Sequence, residues 1–355
     1  MSGKVPPPVR CETLAQIVGR FGGTLEATAG KTREDYALPE RATAEVRAFF
    51  GRTASAESGP DFLARLPGGR VFRAGIVLSP DGTSLARDVS LDFGKTESEH
   101  WLLGSKDLRP PKFLDGATAV VASTLASGYG HWLLDELPRL LALGDAAKGA
   151  RLIAHTTHAF AGPALALSGW RGAVIEPQER THVQCEELIV PSLVGSVERP
   201  AARARRQLNA FVAPLHAASR FGERLYLSRE TARRRRVSNE PELWAKLEAR
   251  GFVKLRLETL SWQEQINAFR GAKTIVAPHG AGLANLVFCG PGTRVVEFFN
   301  RSYVNGCYWR LAAVAQLDYR AVVPAGEAAL ADSPAGNRLD LVADVERVLA
   351  ELDAH

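Results

Sequence analysis

Two short stretches carry the residue types that chemistry needs. The first is Gly130-His131-Trp132-Leu133-Leu134-Asp135-Glu136-Leu137-Pro138-Arg139-Leu140. His131 and Asp135 are four apart, so a helix would put imidazole and carboxylate on one face. Either group can take a proton from a hydroxyl. The same spacing also suits a plain salt bridge between Asp135 and Arg139. The second stretch is Thr274-Ile275-Val276-Ala277-Pro278-His279-Gly280-Ala281-Gly282-Leu283-Ala284-Asn285. It reads as buried strand, glycine turn and helix start, an arrangement that attracts phosphate through unpaired N–H groups and the helix dipole. Glycines at 280 and 282 let another group come close to the backbone. Glu297 lies in the following strand, Thr293–Phe299, where dinucleotide folds place an acid against ribose hydroxyls. The glycines alone equally suit a helix–strand packing turn, and Glu297 alone an exposed strand-end acid.

Between the two stretches, Arg229 follows the strand Arg224–Ser228 and precedes Arg233-Arg234-Arg235-Arg236. A cationic loop beside a glycine turn suits a diphosphate, although a four-arginine tract is commonly just a solvated charge run. His155 and His158 read as structural or exposed. No H-E-x-x-H, no D-x-D at a strand end and no His/Cys cluster points to a metal. The absence of G-x-S-x-G argues against a serine hydrolase.

These residues need elements to hold them. From residue 117 strands and helices alternate, which predicts a parallel sheet covered on both faces. Ala117–Ser123, Arg151–Ala154, Ala173–Ile175 and Glu187–Val190 read as strands, His131–Leu143 as a helix kinked at Pro138, and Ala201–Ala217 as a long helix. In the second half Asn239-Glu240-Pro241-Glu242 and Ser261-Trp262-Gln263-Glu264 resemble capping boxes, with helices closing at Gly251 and Gly271. Leu311–Leu317 and Asp340–Leu352 read as closing helices. Residues 68 to 93 look β-rich, with a turn at Ser79-Pro80-Asp81-Gly82. The expected organisation is a small β-rich extension over 1–110 and two α/β domains of Rossmann type over 111–220 and 221–355. The last helix is expected to pack back on the earlier domain.

The 355 residues suit two domains, and 46% hydrophobic content supplies two cores. Cys11, Cys185, Cys289 and Cys307 have neither C-x-x-C nor zinc spacing and read as buried thiols of a reducing compartment. No run approaches the length of a membrane span, and Met1–Pro8 has no apolar signal region, so a cytosolic protein is expected. A net charge of +5 with pI near 9.1 fits anionic ligands or an anionic membrane surface.

Together, Gly130 to Leu140, Leu225-Tyr226-Leu227-Ser228-Arg229 with its arginines and Asn239-Glu240, and Ala277 to Asn285 resemble glycosyltransferase family 61 over residues 117 to 300. Bacterial relatives are described as capsular polysaccharide biosynthesis proteins. Eukaryotic relatives include protein O-linked N-acetylglucosaminyltransferases and plant xylan arabinosyl- and xylosyltransferases. The resemblance implies a GT-B fold with two Rossmann-type domains facing across a cleft, a UDP-sugar donor, inversion at the anomeric carbon and no metal or other cofactor. The expected mechanism is direct displacement with Asp135 and His131 as catalytic residues, Asp135 taking the acceptor proton and His131 orienting it or acting as the base itself. Donor contacts are expected from Ser228, Arg229, Arg233, His279, Gly280, Ala281, Gly282, Asn285 and Glu297. The acceptor is expected to be a glycan or glycolipid. The enzyme would act on the cytoplasmic side, in at most peripheral contact with the membrane, and without nucleic acid. Eukaryotic relatives carry a secretory-pathway anchor, and this sequence shows none. Competing readings are an NAD-dependent oxidoreductase on the same glycine turn and a non-catalytic sugar-nucleotide or polysaccharide-binding subunit.

Overall fold

The computed structural model describes residues 4–92 and 99–354. Met1–Gly3, His355 and Phe93, the end of the expected β-rich stretch, lie outside the described residues. The chain is mixed α/β and divides into two compact units, one of residues 1–32 and 58–196 and the other of 33–57 and 197–355.

The strands, in chain order, are β1 (Arg10–Glu12), β2 (Thr24–Ala29), β3 (Thr32–Asp35), β4 (Ser55–Ser58), β5 (Asp61–Pro67), β6 (Arg70–Phe72), β7 (Ile76–Leu78), β8 (Ser84–Ala86), β9 (Lys112–Val120), β10 (Arg151–Ile153), β11 (Val174–Ile175), β12 (His182–Pro191), β13 (Arg224–Leu227), β14 (Val253–Leu255), β15 (Thr274–Pro278), β16 (Arg294–Phe298) and β17 (Asp318–Val322). In the first unit one sheet runs β1-β8-β7-β6-β12-β9-β10-β11, with β5 also on β12 and β2 on β5. The β12-β9-β10-β11 part is parallel, as alternating strands and helices predict. The N-terminal strands are not a separate extension. They continue this sheet through antiparallel pairing of β5 and β6 with β12, and Leu14, Ile17, Leu66 and Val71 share a core with Val120, Ile153 and Leu188. The run Val71–Leu78 is itself a hairpin, turning where Arg73 and Gly75 adopt positive φ. A side chain on Gly75 would strike the Ala122 carbonyl, so only glycine lets the turn lie against β9's end.

The second unit is a five-stranded parallel sheet, β14-β13-β15-β16-β17. β17 escapes the sequence pattern because Asp318 and Arg320 break its apolar run. Those charges pair with each other and with Arg294 at the sheet edge. The helix Val345–Asp353 packs on β16 and β17 of its own unit, with Val345, Val348 and Leu349 in that unit's core, not on the earlier domain as expected. The boundary also falls earlier than expected. The helix Ala202–Phe211 belongs to this unit because Arg205 and Asn209 donate to the carbonyls of Cys289 and Val287, and Pro214 ends the predicted long helix in a 3-10 turn. Residues 33–57 join it from far away in sequence. Phe50 stacks on Trp309 at 4.7 Å between ring centroids, and the Tyr36 hydroxyl donates to the Pro200 carbonyl. Among the described residues no helix is long and apolar enough to cross a membrane.

Candidate active site

In the first unit the stretch from Gly130 is not one kinked α-helix. A short turn, Tyr129–His131, leads into a π-helical turn, Trp132–Glu136, and then the helix Leu137–Leu143 with Pro138 in its first turn. Pro138 carries no N–H to continue the backbone ladder at the join between the two helical stretches. The wider turn is absorbed where Leu137 N–H reaches back to the Trp132 carbonyl. His131 Nδ1 lies 2.7 Å from Asp135 Oδ2. Asp135 is completely buried, whereas the His131 side chain is 22% exposed. The more accessible member of the pair is therefore His131, with the Asp135 carboxylate buried beside its ring.

Arg139 does not take Asp135 as its ion-pair partner. It is fully buried and donates to the carbonyls of Val121, Ala122 and Pro191, tying together the ends of β9 and β12. Burial brings its guanidinium down to about 10. The neighbouring acid, Glu136, was missed by the sequence reading. It accepts from the His155 N–H at 2.7 Å and approaches His155 Nδ1 at 2.9 Å. Burial raises its carboxyl above the usual range, against the lowering effect of His155. The acidic Asp135-Glu136 dipeptide was the signal available for it.

In the second unit the strand β15 runs into His279 and Gly280, and Ala281–Phe288 forms a 3-10 helix. Gly280 has extended backbone (φ 177°) that any residue adopts. Glycine is needed there for space, since a side chain would collide with the Arg229 guanidinium. Gly282 is closed in the same way by Leu257. Arg229 donates through Nε to the Arg235 carbonyl at 3.2 Å and through Nη2 to the Arg234 carbonyl at 2.9 Å. Among the described residues no carboxylate forms an ion pair with it. Burial, then the nearby Arg235, lowers it to about 10.

The arginine tract divides. Arg236 pairs with Asp340 at 2.9 Å, and Arg235 bonds Asn337 and lies over the Tyr303 ring. Arg233 is exposed. Ser228 is buried, and its hydroxyl accepts from the Glu230 N–H at 3.2 Å, a local turn contact. Asn285 is 0% exposed and donates to Gln265 and to the Gly282 carbonyl. In this position Asn285 braces the helix start from inside. Asn239 likewise makes no helix cap. It exchanges hydrogen bonds with the Ala343 backbone, whereas Ser261 does form its capping box.

Glu297, expected as a donor contact, lies inside the second unit. It is completely buried. His279 Nδ1 lies 2.5 Å from its Oε1, and the Tyr319 hydroxyl donates to its Oε2 at 2.5 Å. The register explains this. Glu297 stands beside Ala277 on β15 and Ala321 on β17. His279, two residues past Ala277, and Tyr319, two before Ala321, reach it diagonally across the same face.

Residues 129–296 match the family model described as Glycosyltransferase 61. This stretch is a glycosyltransferase family 61 domain. It holds the His131–Asp135 pair, Arg229, the glycine turn and His279. The chain is also similar to an EGF domain-specific O-linked N-acetylglucosamine transferase of Drosophila melanogaster, 36% identical over 98 residues. That similarity spans 27% of this chain and 18% of the fly protein.

Proposed function

We propose that the protein is an inverting, metal-independent glycosyltransferase of GT-B type that moves a sugar from a UDP-sugar to a hydroxyl of a glycan or glycolipid. The observation that carries the reading is Arg229. Its guanidinium forms no ion pair with a carboxylate among the described residues, lies against Gly280 and adjoins the start of a helix, all within a family 61 domain. A cation and fixed amide donors of this kind stabilise the charge that grows on a departing diphosphate. His131, held by Asp135, takes the proton of the acceptor hydroxyl as that oxygen attacks the anomeric carbon. The bond from that carbon to the diphosphate breaks, and its electron pair leaves with UDP. The proposed setting is synthesis of a bacterial surface polysaccharide on the cytoplasmic side of the membrane.

The name of the fly relative makes UDP-N-acetylglucosamine the first donor to try. The test is release of UDP from a panel of UDP-sugars with simple glycosides as acceptors, before and after exhaustive EDTA treatment. Transfer that survives the chelator is expected. Activity lost to EDTA and restored by Mg²⁺ or Mn²⁺ would overturn metal independence. Turnover of NADH with no UDP-sugar cleavage would overturn the transferase reading.

A further inference from the structure

The role left open by Glu297 belongs to His279. A buried carboxylate needs donors or a counter-charge around it. Among the described residues no arginine or lysine forms an ion pair with Glu297. Its two close partners are the Tyr319 hydroxyl and His279 Nδ1. An ionised carboxylate only accepts, so Nδ1 must carry its hydrogen toward Oε1. The ring is packed by Phe299, Tyr303 and Tyr308, each with its centroid 5.3 Å away. His279 is only 5% exposed, and Nδ1 is the ring nitrogen engaged by Glu297, which leaves Nε2 on the other side of the ring. The next residue is Gly280, against which Arg229 lies. The charged groups around this ring are Glu297, Asp332, whose carboxyl senses the imidazole, and Arg235 over Tyr303.

We propose that Tyr319 and Glu297 are positioning residues that fix the His279 ring so that its Nε2–H donates to a phosphate oxygen of the nucleoside diphosphate. The proposal rests on the donor reading above and assigns the contact within that site. No proton is transferred. As the sugar–oxygen bond breaks, the electron pair settles on the diphosphate, where Nε2–H and the Arg229 guanidinium meet it.

The test uses the full chain with ¹⁵N-labelled histidine, eight residues in all, with the His279 signals assigned by His279→Gln. UDP should move the Nε2 resonance while the Nδ1 proton stays in its strong hydrogen bond, and uridine should leave both in place. Glu297→Gln should weaken UDP about 10- to 100-fold, the range for losing one charge-assisted hydrogen bond. Tyr319→Phe, a milder change, should weaken UDP about threefold and shift the Nδ1 proton. UDP binding with an unmoved His279 Nε2 would overturn the relay and leave the donor reading standing. So would wild-type UDP affinity in Tyr319→Phe with an unshifted Nδ1 proton, a result that does not depend on Glu297→Gln folding. Failure of the wild-type chain to bind UDP overturns both.

Discussion

Two histidine–carboxylate pairs, one in each unit, use the same atoms and are built by opposite routes. His131 and Asp135 are four residues apart, and one π-helical turn brings them together. His279 and Glu297 are eighteen apart and meet because β15 and β16 are adjacent parallel strands. Both acids are completely buried. The imidazoles differ: the His131 side chain is 22% exposed and that of His279 only 6%. A ring that reaches solvent can exchange a proton with an incoming hydroxyl. A ring boxed by aromatic side chains, with its acid held by Tyr319, is a fixed donor. Exposure, more than the identity of the pair, separates the two roles.

The largest effect should come from the exposed pair. His131→Ala should lower transfer about 10²- to 10⁴-fold, as loss of a general base does. UDP affinity by calorimetry should stay as in the wild type. Asp135→Asn should also slow transfer, by presenting the ring in the wrong tautomer. If Asp135→Asn is inactive and His131→Ala transfers normally, the roles drawn from exposure are reversed.

A smaller effect should come from the neighbourhood of the buried pair. Gly280→Ala keeps an allowed backbone but displaces Arg229, so UDP should bind roughly tenfold more weakly, near the net value of one charge-assisted hydrogen bond. The melting temperature should change little. Unaltered UDP affinity in Gly280→Ala would remove Arg229 from the donor site.

The smallest effect is a contrast in pH dependence between the units. Burial raises the Glu136 carboxyl, so its contribution is complete below the ordinary carboxylate range and is lost as pH rises through the folded value. Asp318 runs the other way. Burial pushes it up, but hydrogen bonds from Arg320 and Arg294 outweigh that, so its contribution is present above the ordinary range and lost as pH falls. Because Asp318 is over a third exposed, its share should stay below about 1 kcal/mol. Hydrogen exchange resolved by unit, between pH 3 and 6 in order of magnitude of the carboxylate range, should show β17 losing protection toward acid and the Glu136 turn gaining it. Parallel trends in the two units would contradict this assignment.

The sequence by itself determined the local part of this protein. Alternating apolar runs and capped helices gave the α/β character, and i,i+4 spacing put His131 beside Asp135. The run from β15 through His279 to Gly282 was legible because strand, turn and helix are contiguous there. Arg229 was legible as a cation at a strand end. An acid in the apolar run Val295-Val296-Glu297-Phe298 signalled something unusual but not its partner. Only the order of β15, β16 and β17 put Glu297 between His279 and Tyr319. Tertiary structure alone also joined residues 33–57 to the second unit, through Phe50 on Trp309, and merged the N-terminal strands into the first sheet. The physical reason is the same in each case. Hydrogen bonds along a helix or turn connect near neighbours, whereas sheet register and core packing choose partners at any separation, by which faces can be buried together.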